Sequence, residues 1–377
     1  MRFDRNEWAG SVGDAGTTLP LIMGMICCAG LDSASVFIMF GLMQVLTGLA
    51  YGLPMPVQPL KAMVVLVITQ KMTGDTLFGA GLAIGAMMLV LTVSGALGRL
   101  AQLIPLCVVR GIQFGLGLSL AWLALTQYIP SQGIRGYGVA SVALAVIAGL
   151  RGNRRVPAGL LVILLGLLYT LLLRMDARAI VSGLGWGWPR LHRPSLDGIL
   201  TGTLVLALPQ LPLSLANSVI ATRQTVEDLF PHKRIGIRRI GLTYSAMNLI
   251  SPFFSGVPVC HGCGGLAGYY AFGARTGGSV VICGSMYLVV GLLMSRVLDG
   301  VTDVFPLPIL GVVLLFEAIT LMLLVRDQVA TKSTLVITLL VGLMALLLPQ
   351  GYLIGLVVGT LLYGLSAGTR SKVTEGT

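Results

Sequence analysis

Two stretches decide how this chain folds: Tyr51-Gly52-Leu53-Pro54-Met55-Pro56-Val57-Gln58-Pro59 and Phe254-Ser255-Gly256-Val257-Pro258-Val259-Cys260-His261-Gly262-Cys263-Gly264-Gly265. Pro54, Pro56 and Pro59 each fix φ and lack an N–H, so the first stretch cannot continue a helix. The second, with Pro258 and its glycines, breaks in the same way. Each is predicted to run extended and then open a half-helix, the first at Pro59-Leu60-Lys61. What surrounds them is apolar: of 377 residues, 55% are hydrophobic and 10% charged, with a mean hydropathy of +0.91. A soluble domain carries about 25% charged residues, so this chain belongs in a bilayer. Its apolar runs are continuous and do not alternate with period two, which excludes a β-barrel. Inside a membrane, non-helical backbone is tolerated only where it is buried in protein or lines a cavity.

A spanning helix needs about 20 apolar residues. Apolar runs fall at 9–30, 33–53, 56–70, 77–96, 102–127, 137–150, 156–174, 199–222, 238–253, 259–272, 278–297, 304–325, 333–349 and 351–367. The third and tenth, which hold the two breaks, are too short to span alone, and such interrupted segments at matching places in two halves point to a transport site. Pro56-Val57-Gln58 and Pro258-Val259-Cys260 lie 202 apart, and Pro105 and Pro306, each inside a Pro-Leu pair, lie 201 apart. Leu19-Pro20-Leu21 likewise echoes Leu211-Pro212-Leu213. The predicted fold class is an all-α polytopic membrane protein of about fourteen segments arranged as a 7+7 inverted repeat, since an odd number of spans inverts the second copy. Repeat 1 is expected over about 8–175, a linker over 176–197 and repeat 2 over about 198–367, with no large soluble appendage.

The net charge of +11 fits this topology and implies no nucleic-acid partner, because basic residues collect in loops that stay cytoplasmic. With both termini inside, the inner loops hold Arg2, Arg5, Arg99, Arg151, Arg154, Arg155, Lys233, Arg234, Arg238, Arg239, Arg275, Arg326, Lys332, Arg370 and Lys372. Arg174, Arg178, Arg190 and Arg193 run against the rule; with Trp186 and Trp188 they mark the linker as a candidate interfacial helix. The N-terminus shows no signal-peptide cleavage site. Six cysteines, mostly in apolar segments, do not suggest a disulfide framework.

Two half-helices meeting near the midplane aim unpaired N–H groups and partial positive charge into one volume, which makes an anion site. Gly262, Gly264 and Gly265 let a ligand approach the backbone, or alternatively only let helices pack closely. Ionisable residues inside apolar segments usually face a cavity or a partner. Lys61 can complement an anion or neutralise Asp14; His261 can donate to an oxyanion. Asp14 is either a proton-coupling carboxylate or a structural partner, and His261 is the other proton-coupling candidate. Arg110 and Glu317 read as structural pairs or as facing the scaffold interface. Thr17, Thr18 and Gln58, and on one face of the eighth segment Gln210, Ser214 and Asn217, are neutral groups that can hold an oxyanion or bridge helices. Cys260-x-x-Cys263 is too weak a pattern for zinc or redox chemistry, and no metal or cofactor is expected. No nucleotide-binding loop or hydrolase motif occurs, which argues against an enzyme or an ATP-driven pump.

Gly13-Asp14-Ala15-Gly16-Thr17, Pro56-Val57-Gln58-Pro59-Leu60-Lys61-Ala62, Leu208-Pro209-Gln210-Leu211-Pro212 with Asn217-Ser218-Val219, and Pro258-Val259-Cys260-His261-Gly262-Cys263-Gly264-Gly265-Leu266 together resemble the molybdate transporter family. That family is a branch of the sulfate permease superfamily without its C-terminal STAS domain. Cys263 stands where the family usually has a small residue such as Ala. The resemblance implies a fold like that of uracil and bicarbonate transporters, with a core domain (segments 1–4 and 8–11) and a gate domain (5–7 and 12–14). It also implies uptake of a tetrahedral oxyanion, molybdate or the related sulfate, across the inner membrane. A cage of donors suits such dianions and disfavours protonated phosphate. Substrate binding is expected from Thr17, Thr18, Gln58, Lys61, Gln210, Ser214, Asn217, His261, Gly262, Cys263 and Gly264. Protons are the expected coupling ion, elevator-type movement of the core the expected mechanism, and a homodimer is compatible with the family. The alternatives are a nucleobase or bicarbonate carrier on the same fold, for which Glu227 keeps the nucleobase option open, an anion channel, and a membrane-embedded scaffold.

Overall fold

The computed structural model describes residues 1–150, 158–173 and 175–374; Arg151, Arg154, Arg155 and Arg174 lie outside the described residues. The first repeat runs α1 (Arg5–Ser11), α2 (Ala15–Ala29), α3 (Ser33–Tyr51), strand β1 (Gln58–Pro59), α4 (Lys61–Gln70), α5 (Gly74–Val93), α6 (Leu97–Leu103), α7 (Leu106–Leu123), α8 (Gly133–Gly149) and α9 (Ala158–Leu173). After α10 (Ala177–Gly183), the second runs α11 (Leu196–Gly202), α12 (Leu208–Leu213), α13 (Thr222–Leu229), α14 (Ile237–Ile250), strand β2 (Val259–Cys260), α15 (Cys263–Ala271), α16 (Gly278–Leu293), α17 (Ser295–Val304), α18 (Leu307–Leu323), α19 (Lys332–Leu347) and α20 (Gly351–Thr374). Wide turns of π-helix at 203–207 and 214–221 join α11, α12 and α13 into one long span.

Among the described residues, six helical stretches are long and apolar enough to cross a membrane, and a seventh counts if α16 and the start of α17, bent by 81°, are one span. Shorter apolar helices complete the body, among them α4, α19 and part of α20. The half-helix α4 is short because Pro59 precedes it and Lys71, in left-handed conformation, closes it.

Helix pairings come in swapped pairs, as an inverted repeat requires. α3 packs on α16 while its counterpart α14 packs on α5; α7 packs on α19 while α18 packs on α8. The α3–α16 contact is close because Gly41 and Gly284 meet backbone to backbone, where a Cβ on either would stand 2.6 Å from the other's carbonyl oxygen. Such small-residue seams replace the hydrophobic driving force that lipid removes. Two bundles result: one around α3, α5, α11, α14 and α16, the other around α7, α8, α18, α19 and α20. α4 touches both, packing on the α11–α13 span and on α7, and on α2 besides.

Two local expectations change. The first apolar run is broken at residues 12–14 into α1 and α2, and the buried carboxylate of Glu7 on α1 accepts the backbone N–H groups of Arg275, Thr276 and Ser279 at the start of α16. The linker is helical only over Ala177–Gly183; beyond it, Trp186 and Trp188 stack on each other in extended chain. That segment is held as a strap by backbone bonds from Gly185 and Gly187 to Leu293 and Leu292. Its glycines and Pro189 favour extended backbone over an interfacial helix.

Candidate functional site

At the centre the two broken segments cross. β1 and β2 pair antiparallel with Gln58 opposite Cys260 and Pro59 opposite Val259, and Leu60 N–H donates to the Pro258 carbonyl at 3.1 Å. Each extended piece leads straight into its half-helix, α4 at Lys61 and α15 at Cys263, so both N-termini open beside the crossing. The first N–H groups of a helix have no partner within it. One finds a side chain: Ala62 N–H donates to Gln210 Oε1 at 2.9 Å, and Gln210 in turn donates to Ser214, which shares a hydrogen bond with Tyr244.

Two amides clasp the crossing from either side. Gln44 on α3 donates to the Val57 carbonyl and accepts from the Val57 N–H; Asn248 on α14 does the same to Val259. All four main-chain groups are thereby paired in a buried place where an orphan would cost about 1–3 kcal/mol. Neither amide was singled out from the sequence, although each precedes its break at nearly the same distance.

Asp14 lies at the start of α2 with a carboxylate that accepts from Thr17 Oγ1 (3.1 Å), Thr18 Oγ1 (2.8 Å) and Gln58 Nε2 (2.6 Å). Thr17 and Thr18 therefore serve Asp14 and are not among the cavity's lining residues. Gln58, pinned by Asp14, lays its side-chain oxygen against the Cα of Gly262, where any Cβ would collide with it. Gly265 is crowded by the same amide, whereas Gly264 faces open space. His261 is fully buried: Nδ1–H donates to the Pro56 carbonyl at 3.0 Å, leaving Nε2 to accept from Thr243 at 2.8 Å, with Tyr51 edge-on to the ring. A carbonyl only accepts, which sets that tautomer. Its ring cannot also reach the cavity, because both nitrogens are spent tying the second break to the first.

A cavity of about 30 Å³ opens beside the crossing. From the crossing and α4 it is lined by Gln58, Lys61, Cys260 and Gly262, from the α12–α13 span by Gln210, Leu213, Asn217 and Ser218, and from the second bundle by Gln113, Leu116 and Leu321. Asn217 accepts the Cys263 thiol on its oxygen at 3.1 Å, which leaves its NH₂ as a free donor toward the cavity. Ser214 and Cys263 stand behind that lining, whereas Gln113 was not foreseen because α7 belongs to the other bundle. Lys61 makes no salt bridge or hydrogen bond to another described residue; the carboxylates that act on it are Glu317 first, then Asp14. Arg110 is paired with Asp327, and Glu227 with Arg223 at an exposed helix end away from the cavity. A larger hollow of about 330 Å³ is walled by side chains such as Leu19, Met23, Leu160 and Phe305 and offers an anion nothing.

An ammonium, the Asn217 amide and two helix N-termini beside one small buried space are groups that suit an anion. Residues 6–120 and 202–321, from α1 into α7 and from the end of α11 into α18, match the family described as "Molybdate transporter of MFS superfamily". The chain belongs to this family. It is similar to molybdate transporter 1 of Arabidopsis thaliana, 33% identical over 403 residues covering 95% of this chain and 87% of that protein. Molybdate transporter 2 of the same plant is also 33% identical, over 88% of this chain and 81% of its own length. Among solved structures, the transmembrane domain of the cyanobacterial bicarbonate transporter BicA superposes with a TM-score of 0.66 at 18% identity, covering 92% of this chain and 98% of that one. Murine Slc26a9, an anion transporter solved in the inward-facing state, gives 0.69 at 13% identity, over 97% of this chain and 68% of its own. The fold is thus the inverted-repeat fold that those two structures share. This member of the molybdate transporter family is a multi-pass membrane anion transporter and not an enzyme.

Proposed function

We propose that this protein is a secondary active transporter that takes up molybdate through the inner membrane, coupled to protons, with both termini cytoplasmic. The observation that carries the reading is the Lys61 ammonium, unpaired by hydrogen bond or salt bridge among the described residues and facing the cavity at the tip of α4. Molybdate and sulfate are dianions with only acceptors to offer at neutral pH. Gln210 and Asn217 already use their acceptor oxygens within the protein, so what those two present to a ligand is N–H. Phosphate, still partly protonated, wants an acceptor and is disfavoured.

The bundle of α3, α5, α11, α14 and α16 acts as a core that carries the anion, and the bundle of α7, α8, α18, α19 and α20 as the gate. The cavity holds two or three water-sized bodies, each needing about 10–15 Å³, fewer than the four oxygens of a tetrahedral anion. Binding therefore widens the space where Gln113, Leu116 and Leu321 of the gate meet the core, which favours movement of one bundle past the other. A dianion entering against an inside-negative potential costs about 2.3 kcal/mol per charge per 100 mV, and protons offset this.

The test is uptake of radiolabelled molybdate into proteoliposomes, with and without an inward acid gradient, in competition with sulfate, tungstate and phosphate. Saturable uptake, raised by the acid gradient and displaced by tungstate far better than by phosphate, is expected. Uptake indifferent to pH would remove proton coupling, and equal competition by phosphate would remove the donor-cage account of selectivity.

A further inference from the structure

Glu317 is a buried carboxylate on α18, 7% exposed, and among the described residues no group donates a hydrogen bond to it. It lies one helical turn from Leu321, on the same face of the gate helix, and Leu321 lines the anion cavity. A buried carboxylate without a donor is costly when ionised and is comfortable either protonated or beside a cation. The cation is Lys61, which lines the same cavity as Leu321 without forming a salt bridge to Glu317, and whose charge, with that of Asp14, acts on the carboxylate.

Besides Asp14, nothing charged competes among the described residues packed against α18. α7 contributes Arg110, already held by Asp327, and the turn after α18 contributes Arg326 and that same Asp327. From α8 comes the exposed Arg135; α9 offers only Tyr169, and the turn after α7 offers Tyr128, bonded to Cys28 of α2. The other two buried groups that invite a proton are committed. Asp14 already accepts three hydrogen bonds, from Thr17, Thr18 and Gln58, and both ring nitrogens of His261 are engaged, by Pro56 and Thr243.

We propose that Glu317 takes up a coupling proton. The inference rests on the proton-coupled reading above and names the residue that performs it. A core carrying Lys61 and a dianion has net negative charge, and passes an ionised Glu317 only against repulsion. When Glu317 takes a proton from the outer solution, the loaded core passes; on the inner side the anion leaves, and the carboxylic acid releases its proton to the cytoplasm. The empty core, with Lys61 positive, returns beside the ionised carboxylate and not beside the neutral acid. Loaded passage with the proton and empty return without it constitute symport.

The experiment uses the full chain in liposomes containing a pH-sensitive dye, comparing wild type, Glu317→Gln and Glu317→Asp. Per coupled proton, a one-unit pH gradient multiplies accumulation about tenfold. Wild type is expected to show that gain, with proton entry on molybdate addition. Glu317→Gln is expected to lose gradient-driven accumulation and proton entry while still exchanging labelled for unlabelled molybdate, and Glu317→Asp to keep coupling with a displaced pH profile. Retained proton entry in Glu317→Gln overturns the proposal, as does loss of exchange together with coupling, which would make Glu317 a binding or structural residue. Absence of proton entry in wild type instead overturns the proton-coupled reading itself.

Discussion

Lys61 and His261 occupy matching places in the two breaks and yet do different work. Lys61 points into the cavity; His261 ties the second break to the first. Replacing Lys61 with Met removes a charged donor, an interaction of about 1.5–3 kcal/mol, so molybdate affinity should fall by about tenfold or more, measurable by isothermal titration on purified protein with folding checked by thermal melt. His261→Ala should do the reverse. It strands the Pro56 carbonyl, costing about 1–3 kcal/mol, whereas Thr243 keeps Tyr51 and the Arg239 carbonyl, so the melting temperature should drop while the pH profile of uptake keeps its shape. A profile that flattens would return His261 to the proton path. Motif position put both residues at the centre; only the tertiary structure showed that Lys61 lines the cavity while His261 braces the crossing.

The crossed strands are the element on which the site depends, and they are two residues each. Strands so short cannot hold themselves, which is why Gln44 and Asn248 supply the missing pairing. Asn248→Leu should lower thermal stability by several kcal/mol in sum, since it leaves both the N–H and the C=O of Val259 buried without partners. It should also weaken molybdate binding, because Val259 positions Cys260 and Gly262. Normal affinity in a destabilised Asn248→Leu protein would show that the crossing tolerates a loose strand. The breaks themselves were legible from proline chemistry. The clasps were not, because a Gln and an Asn in apolar helices look the same whether they bridge helices, face a pore or hold a strand.

Across the whole molecule, the contact of α2, which packs on α4, with α9, which packs on α8 and α18, is the place to test movement of one bundle against the other. Gly159 on α9 lies so close to α2 that a Cβ there would come within 2.5 Å of the Gly16 carbonyl oxygen. Gly159→Val should wedge this seam, lowering the maximal uptake rate several-fold while leaving equilibrium binding of molybdate near the wild-type value, as read by transport and titration on the same preparation. A parallel loss of binding would mean the seam shapes the site and does not merely permit sliding.

By itself the sequence determined that this chain lives in a bilayer, that it repeats, and where each half breaks. Those are consequences of composition and of prolines that lack a donor, and they hold before any tertiary contact forms. Which polar groups line the cavity was decided only by folding, because each donor had to be allotted among competing partners brought in from distant helices. Thr17 and Thr18 went to Asp14, Ser214 to Gln210 and Tyr244, and His261 to Pro56 and Thr243, while Gln113 arrived at the cavity from the other bundle. A hydrogen bond is satisfied by whichever partner geometry delivers, and geometry at that range is a property of the assembled body.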